Sequence, residues 1–363
     1  GFAVLAKETK GLSKKKVKKF KIFKTIGAGD NPKINNYLKN SSVEIMTGGI
    51  VPKPFDSIIP VEKIKYYPSE RKPTHIVVDY EVKKFSFIRF AGEDYNLKDV
   101  VIKRGELIQP KHIMALTTLG IKDLYVKKKP KIIFFGTGKE IVDYKKKNIS
   151  NWQVRNSNNH YFTSFGKSLH YQIIDGGVIK DNEKRKLKEK LRKKLKSDID
   201  IFVTSGAISA GKFDFIPKLI NELSFKTYFK GISIKPGRPI MLSKFKRKEK
   251  LFFGLPGNPI SCAAGFRFFV YPLLRNSLGM LKEKKFKAKL INKYSKQKNF
   301  THFARCLINV NAKGLGELQV LQGQQSHRIE SFVKANCWGI FPGGKEQFKS
   351  GDIVEWVPLI PNS

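Results

Sequence analysis

The sequence predicts an α/β domain with additional β-rich domains before and after it. From Lys131 onward, short apolar strands alternate with turns and helices, as in a mainly parallel sheet with helices on both faces. Before this region and after Lys285, short β-like runs are separated by Pro, Gly and Lys, without a long helical pattern. We therefore predict a β-rich domain at 1–97, a linker or dimerisation segment at 98–129, an α/β domain at 130–285 and a small β-barrel or sandwich at 286–363.

The composition is that of a globular chain with a basic surface. Its 363 residues, 40% of them apolar, suffice for two to four domains. The formal charge of +41 would suit nucleic acid or an acidic membrane as a partner. The excess is lysine rather than arginine, and it is scattered through runs such as KKKVKKFK (14–21) and KRKEK (246–250). We therefore interpret it as a solvated lysine surface and do not expect a nucleic-acid partner.

The three cysteines, Cys262, Cys306 and Cys337, are too widely spaced for a CxxC pair. Neither a disulfide framework nor a structural zinc site is expected, and a reducing cytoplasm fits best. No apolar run reaches about 18 residues without a charge, because Arg267 interrupts the longest candidate, so no membrane span is expected. The sequence begins at Gly1 without a methionine, as a fragment would.

Apolar periodicity predicts the individual elements. In the α/β region, strands are predicted at 132–135, 171–174, 199–203, 228–234 and 251–253. Helices are predicted at 156–169 and from Asn258 to about Leu278. A further helix is predicted after Asp181, which would cap it, with Leu187, Leu191 and Leu195 forming its apolar stripe. Elsewhere, a short helix ends at Gly120, and strands are predicted at 43–46, 57–61, 75–80, 85–90, 304–310, 317–321, 339–341 and 353–357.

The segment TSGAISAGKFDF, from Thr204 to Phe215, is the most informative part of the chain. It follows an apolar strand and carries glycines where a backbone must bend closely around a ligand. Such a turn presents free backbone N–H groups to a phosphate, and Asp214 adds a carboxylate near its end. An ordinary strand-to-helix loop is the alternative for this segment taken alone.

Further turns of this kind follow other predicted strands. They are GTG at 136–138, PGR at 236–238 and PGN at 256–258. Ligands of parallel sheets bind outside the carboxyl ends of the strands, so these turns and the TSG turn predict one anion site. Lys235 and Arg238, in KPGRP, would supply its positive charge.

Three acidic residues, Glu140, Asp181 and Asp214, lie just past strand ends or at a helix start, on the same predicted edge as the turns. Three carboxylates beside an anion would repel it unless a divalent cation bridged them, so the pattern predicts Mg²⁺. Each acid could instead cap a helix or balance its dipole, an alternative that suits Asp181 in particular.

Taken in order, these motifs resemble the MoeA family of molybdopterin molybdenumtransferases, which is related to the E domain of gephyrin. The likeness covers essentially the whole chain, from GFAV at Gly1 to GDIVEW near the end. The motifs that carry it are EIMTGGIVP, FAGEDY, GELIQP, GTGKEIV, NSN, TSGAISAGKFDF, KPGRP, GLPGNPISC and SHRIESFVKANCWGIFPGG. The resemblance implies a molybdenum-cofactor-biosynthesis α/β/α domain, a β-rich amino-terminal domain, a carboxy-terminal β-barrel and an elongated homodimer with active sites between subunits.

The resemblance also implies the reaction, in which molybdenum passes from molybdate into adenylylated molybdopterin with Mg²⁺ and AMP is released. Asp94 would reach across the dimer as a catalytic acid, beside the catalytic and metal-binding residues Glu140, Asp181 and Asp214. The residues implied to hold molybdopterin and its phosphate are Thr137, Gly138, Asn156, Ser157, Asn158, Ser205, Gly206, Ala207, Ser209, Gly211, Pro256, Gly257 and Asn258. Those implied to meet molybdate are Lys235, Pro236, Arg238, Pro239 and Ser261. A molybdopterin adenylyltransferase would be a further partner.

The sequence departs from the family pattern in three respects. The family has an Asp directly before the position of Gly1, with an amino-terminal helical segment, and neither is present in this sequence. Lys139 stands where the family commonly has Asp, and Ala207 where it commonly has Gly. A lysine there would supplement Arg238 or displace a cation, which leaves the role of Glu140 open.

Two other functions stay open at this point. One is the adenylyltransferase that makes the activated substrate, against which the flanking β domains argue. The other is a non-catalytic scaffold or polyanion-binding protein that keeps the fold, since gephyrin shows that this fold family can serve as a scaffold.

Overall fold

The computed structural model describes residues 1–208 and 215–361. The chain forms two compact units, Gly1–Val100 and Val101–Ser363. None of the helices within the described ranges is long and apolar enough to cross a membrane.

The first unit is built on a six-stranded sheet. Its strands are β1 (Phe2–Val4), β2 (Lys18–Ile26), β3 (Ser41–Ile45), β4 (Ser57–Ile59), β5 (Lys65–Tyr67) and β6 (His75–Val78), in the order β4-β1-β3-β2-β6-β5. Strands β2 and β3 are parallel, and the other neighbours are antiparallel. Phe20, Ile76 and Val78 are fully buried, so alternate side chains of the central strands build the core of this unit.

One strand of this unit was not predicted, and one predicted strand is absent within the described range 1–208. Strand β2 begins inside the lysine run at 14–21; Lys19 and Lys21 are exposed, in keeping with a solvated lysine surface, while Phe20 between them is fully buried. The strand predicted at 85–90 is absent from this described segment. Phe85 and Phe87 there have φ values of 68° and 56°, which belong to the left-handed region and do not fit a strand.

A short helix, α1 (Pro110–Thr118), lies near the start of the second unit. Pro110 occupies its first position, and Gly120, with φ 69°, follows it. Leu116 is the one buried residue of this helix, while Ile113 and Met114 are 51% and 72% exposed. The helix therefore presents apolar side chains to solvent.

The centre of the second unit is a six-stranded sheet covered by helices. The strands in this region are β7 (Ile132–Thr137), β8 (Ile141–Val142), β9 (Val154–Arg155), β10 (Ile173–Ile179), β11 (Ile201–Ser205), β12 (Phe225–Lys230), β13 (Ile234–Lys235), β14 (Met241–Phe245) and β15 (Leu251–Leu255). The helices are α2 (Asn158–Ser168), α3 (Lys184–Leu195), α4 (Ile216–Glu222), α5 (Pro259–Gly265) and α6 (Tyr271–Ser277), with a π-helical turn at Phe266–Val270 joining the last two. The sheet order is β10-β7-β11-β15-β14-β12; the first four strands are parallel, and β14 pairs antiparallel with both β15 and β12.

Most predicted elements of this region appear with shifted ends. The strands predicted at 171–174 and 199–203 are Ile173–Ile179 and Ile201–Ser205. The strand predicted at 228–234 is wrong as a single element, because β12 ends at Lys230 and β13 joins a different sheet. Asp181 does not stand at the cap position of α3: it begins a 3-10 turn that ends at Glu183, and α3 follows with its three leucines buried as predicted.

The last region closes into a barrel. Its elements are β16 (Phe286–Leu290), β17 (Tyr294–Ser295), β18 (Thr301–Val310), β19 (Gly316–Val320), α7 (Glu330–Lys334), β20 (Cys337–Phe341), β21 (Gln347–Phe348) and β22 (Ile353–Pro358). The sheet runs β18-β19-β16-β22-β20, and β20 pairs again with β18, which closes five strands into a ring. Strand β13 adds to it in parallel with β18.

The barrel and the central sheet share one hydrophobic core. Phe268, from the π-helical turn, stacks on Phe303 of the barrel with ring centroids 3.6 Å apart. Arg267 is 2% exposed, donates to both carboxylate oxygens of Glu283 at 2.7 Å, and donates from Nε to the Pro358 carbonyl at 3.2 Å. Apolar side chains and the hydrogen-bonded guanidinium of Arg267 therefore join the two regions.

Candidate active site

A cleft lies at the carboxyl ends of the parallel strands. The turns after β7, β11 and β15, which are neighbours in the sheet, meet there as the sequence predicts for ligand sites of such sheets. The cleft has a volume of about 460 Å³. It is lined by Glu140, Ile141, Val154, Arg155, Asn156, Ser157, Asn158, Gly206, Ala207, Ile208, Pro239, Pro256, Gly257, Asn258 and Pro259.

The turn after β11 is packed tightly against the turn after β7. Gly206 has φ 91°, and a Cβ on this residue would lie 2.6 Å from the Thr137 carbonyl oxygen. Thr137 Oγ1 donates to the Ser205 carbonyl at 2.8 Å, which ties the two turns together. The glycine is therefore required by both its backbone conformation and its surroundings.

The expectation that these turns offer free N–H groups is wrong at two positions. The N–H of Gly206 donates to the Leu255 carbonyl at 2.8 Å, and the N–H of Gly138 donates to the Ile179 carbonyl at 3.1 Å. Both amides complete the sheet edge. The glycines therefore allow close packing of the turns and do not supply donors from these two amides.

The NSN motif lies at the start of α2 and faces the turn after β15. Asn158 Nδ2 donates to the Gly257 carbonyl at 2.9 Å, which fixes this turn against the helix. A Cβ on Gly257 would lie 3.6 Å from Gly206 Cα, so the turns after β11 and β15 also touch. Ser157 and Asn156 complete this wall of the cleft.

The predicted acids follow neighbouring strands, but the structure describes them unequally. Glu140 lines the cleft, and its carboxylate lies against Gly138, where a Cβ would be 2.5 Å from Oε1. Asp181 follows β10, the neighbour of β7, at the same edge of the sheet. Asp214, Ser209 and Gly211 lie outside the described residues. Among the described residues, no group of three acidic, histidine or cysteine ligands is assembled, so Mg²⁺ binding stays a prediction.

The KPGRP segment follows β13 and leads from the barrel back to the cleft. Pro239 lines the cleft, whereas Lys235, Pro236 and Arg238 are not among its lining residues. The guanidinium carbon of Arg238 lies 5.9 Å from the centroid of the Phe300 ring. A Cβ on Gly237 would lie 3.2 Å from the carbonyl of Ser261, which is itself buried, so the turn packs on the start of α5. The four predicted turns therefore do not all follow strands of one sheet.

Asn258 precedes α5 as predicted, but its side chain does not cap the helix. It donates from Nδ2 to Ser326 Oγ at 3.0 Å. Ser326 belongs to the loop between β19 and α7, in the SHRIESF motif. The cap position therefore links the cleft to the barrel.

Comparison with known proteins assigns the family. Three family descriptions match the chain: "MoeA N-terminal region (domain I and II)" over residues 1–120, "Probable molybdopterin binding domain" over 134–276 and "MoeA C-terminal region (domain IV)" over 287–359. A molybdopterin molybdenumtransferase of Haemophilus influenzae is 30% identical over 332 residues, which are 91% of this chain and 80% of that protein. The chain belongs to the molybdopterin molybdenumtransferase family.

Other family members agree over nearly the whole length. The molybdopterin molybdenumtransferase of Staphylococcus aureus is 28% identical over 368 residues, covering 98% of this chain and 83% of that protein. The crystal structure of the molybdopterin biosynthesis moeA protein from Pyrococcus horikoshii OT3 matches with a TM-score of 0.79 and 25% identity, over 98% of this chain and 85% of that one. The predicted family and fold class, an α/β domain with an amino-terminal β-rich domain and a carboxy-terminal β-barrel, are confirmed. The four domain boundaries stay predictions.

The departure from the family pattern at Ala207 has a structural consequence. Ala207 has φ 54°, in the left-handed region that favours glycine. We expect Ala207→Gly to raise the free energy of unfolding by about 0.5 to 1 kcal/mol, because relief of the strained backbone exceeds the entropy cost of glycine. The midpoint of urea denaturation measures this. Ala115→Gly, in the regular helix α1, should shift the midpoint the opposite way, and two shifts of the same sign would contradict the argument.

A buried histidine beside Lys235 predicts a pH-dependent stability. Burial, with the nearby charges of Lys235 and Lys296, lowers the pKa of His302 to about 4, and its Nδ1 lies 2.9 Å from the Tyr294 hydroxyl. The unfolded chain therefore binds a proton at His302 between pH 6.5 and 4 that the folded chain does not. The contribution of His302 to the free energy of unfolding is fully present above pH 6.5, and about 3 kcal/mol of it is lost as pH decreases toward 4. Denaturation of His302→Gln should lack this component, and parallel pH profiles of the two proteins would contradict it.

Two further findings concern residues of the family site. Asp94 lies in the first compact unit and is exposed, and its implied role across a dimer stays a prediction. Arg155, Ile141, Val154, Ile208 and Pro259 line the cleft although the sequence prediction omits them. Arg155 could have been predicted from the sequence, because it is a cation directly before NSN. The apolar residues could not, because they resemble core positions.

Proposed function

We propose that this chain transfers molybdenum from molybdate into adenylylated molybdopterin, with release of AMP. The observation that carries the proposal is one cleft formed by the turns after β7, β11 and β15 together with NSN, in a chain of the molybdopterin molybdenumtransferase family. These are the segments that the resemblance assigns to the substrate.

The lining of the cleft supports a ligand with a phosphate linkage. Gly206 and Gly257 bring two turns into contact without side chains, so a ligand can approach the backbone closely. Asn158 is held by the Gly257 carbonyl and is 8% exposed, so its position is fixed before a ligand arrives. Arg155 is exposed at the rim and supplies a positive charge for a phosphate. We assign molybdopterin binding to this wall.

We propose that carboxylates at this edge of the sheet hold Mg²⁺. The Glu140 carboxylate takes part in no ion pair with the other described residues, and carboxylate oxygens are the ligands that Mg²⁺ prefers. We assign Glu140, Asp181 and Asp214 to this ion, which would offset the charge of the phosphates when bound. Glu140 would also orient the water that attacks the linkage.

The proposed reaction has two steps, cleavage of the pyrophosphate linkage and insertion of molybdenum. Once molybdate is bound, water adds to one phosphorus of the pyrophosphate linkage, the P–O–P bond breaks, and AMP departs with the bridging oxygen or the water oxygen. The dithiol sulfurs then displace an oxygen of molybdate, which leaves as water with the two thiol protons. Lys235 and Arg238 are assigned to the molybdate, whose two negative charges they match.

The direct test follows AMP and molybdenum together. Purified protein would be mixed with adenylylated molybdopterin, molybdate and Mg²⁺, and AMP and protein-bound molybdopterin-molybdenum would be measured. We expect AMP release that depends on molybdate. Formation of adenylylated molybdopterin from ATP and molybdopterin, without molybdenum transfer, would instead identify an adenylyltransferase.

We also propose a homodimer formed through α1 and the residues after it. Along with Ile113 and Met114, this segment exposes Leu119, Ile121, Leu124, Tyr125 and Val126. Exposed apolar side chains concentrated in one stretch of chain are typical of a protein interface. A cytoplasmic location is proposed as well, because the three cysteines are free and buried.

The dimer proposal predicts the effect of one charge. We expect Met114→Glu to convert the dimer into a monomer in sedimentation velocity, because burying an unpaired carboxylate in an apolar interface costs several kcal/mol. Thr118→Glu, at an exposed polar position of the same helix, is the matched control. A monomeric parent protein, or an undisturbed Met114→Glu dimer, would contradict the assignment.

A further inference from the structure

A second cleft lies at the opposite edge of the central sheet. It has a volume of about 630 Å³ and lies between the end of α3, the end of α4 and the β14–β15 hairpin. Strands β11 and β15 begin there, at Ile201 and Leu251, and run toward the candidate active site at their other ends. We call this cleft the basic groove; its cations are Arg192, Lys193, Lys196, Arg247 and Lys248.

The charges of the basic groove are not balanced within the described residues. None of its five cations forms an ion pair with any residue in the ranges 1–208 and 215–361. The one carboxylate of the groove, Glu222, is already bound by Lys188 Nζ at 2.5 Å. This hydrogen bond, with Lys218 and Arg192 nearby, holds the pKa of Glu222 below its usual value. The groove therefore carries a net positive field.

Two simpler explanations account for only part of this arrangement. Cations at the end of α3 balance its helix dipole, which explains Arg192 and Lys193. The dipole does not explain Arg247 and Lys248, which come from the hairpin on the other side. A general excess of lysine does not explain the arginines either, because the chain has 12 arginines among 71 basic residues and two of them face this groove.

The floor of the basic groove is apolar, and its composition favours a peptide over a nucleic acid as the bound polyanion. It is formed by Leu195, Leu223 and Phe245. Two of these are aliphatic and buried, so they offer a socket for an apolar side chain and not a series of ring faces for stacked bases. Guanidinium groups on opposite walls suit carboxylates, which they bind through paired hydrogen bonds.

We propose that the basic groove binds an acidic peptide segment of another protein, with one apolar residue of that segment on the floor and its carboxylates on Arg192 and Arg247. A second copy of this chain is a poor source of the segment, because the chain has 30 acidic residues against 71 basic ones. The site is separate from the proposed active site, so its occupancy does not require the proposed reaction.

The test uses the full chain and a defined probe. A fluorescein-labelled peptide, Glu-Asp-Glu-Phe-Glu-Asp-Glu, would be titrated with protein and followed by anisotropy at about 0.15 M salt, where weak long-range attraction is screened. We expect saturable binding, and a loss of about tenfold in affinity on Arg192→Gln with Arg247→Gln, which removes two charge-assisted contacts. Both arginines are exposed, so the fold should survive, and circular dichroism melting would verify this.

The control double variant is Arg71→Gln with Arg104→Gln, which removes the same charge from exposed positions elsewhere. It should bind the peptide like the parent protein, and a peptide with Ser in place of Phe should bind more weakly. Equal losses in both double variants would overturn the proposal in favour of net charge alone. No saturable binding, equal binding of the Ser peptide, or tighter groove-dependent binding of an oligothymidylate of matched charge would each overturn it as well.

Discussion

Glu140→Gln is expected to reduce molybdate-dependent AMP release by a factor of about 10² to 10³, the loss typical of removing one placed electrostatic group from an active site. Glu140 lines the cleft beside Gly138, at the end of a strand that neighbours those leading to Asp181 and to the 209–214 segment. The amide keeps the size of the side chain but neither chelates a cation well nor accepts a proton. The rate should therefore fall without loss of the fold.

The control for this prediction is Glu189→Gln on α3, which removes an exposed carboxylate of the same region. It should keep full activity. Both proteins should unfold at the same denaturant concentration as the parent, because the Glu140 carboxylate forms no ion pair with the other described residues. Full activity of Glu140→Gln would show that Glu140 has no catalytic role. It would also agree with the departure from the family pattern at Lys139, which leaves the role of Glu140 open.

Gly206→Ala should produce the largest loss of stability among the changes considered. The new Cβ would lie 2.6 Å from the Thr137 carbonyl oxygen, and φ 91° is unfavourable for any residue with a side chain. Strain and the backbone clash together should cost about 2 to 4 kcal/mol of unfolding free energy. The clash also separates the two turns that form the cleft, so the KM for adenylylated molybdopterin should rise.

Gly231→Ala is the matched control, because Gly231 has a similar φ of 85° but no atom within 4 Å of the added Cβ. It should lose only the cost of the left-handed backbone, about 1 to 2 kcal/mol, and keep its KM. Urea denaturation and steady-state kinetics of both variants measure the difference. Equal destabilisation would mean that the contact between the turns contributes nothing.

The sequence was sufficient to locate the cleft because strand ends are strongly marked in parallel sheets. Buried strands such as Ile201–Ser205 are continuous apolar runs, and the turn that follows changes abruptly to Gly and Ser. The carboxyl ends of such strands lie at one edge, so the sequence alone places Glu140, Gly206 and Gly257 together. The use of each amide could not be predicted, because pairing of Gly206 with Leu255 depends on the register between strands.

Prediction failed where side-chain composition hides the periodicity. In β2, lysines occupy the exposed positions around buried Phe20, and a lysine run carries the same composition whether it is a loop or a strand. In 85–90, alternating Phe residues imitate a strand, although their backbone is left-handed at two positions. The position of KPGRP on the barrel side was also hidden, because pairing of Ile234 with Thr301 joins segments far apart in the chain.

The shared packing of Phe268 and Phe303, together with the guanidinium of Arg267, has a consequence for how this protein can be shortened. A truncation after the α/β region would remove Phe303, which stacks on Phe268, and the Pro358 carbonyl, which accepts a hydrogen bond from Arg267. Deleting the carboxy-terminal barrel would therefore also destabilise the α/β region that contains the candidate active site.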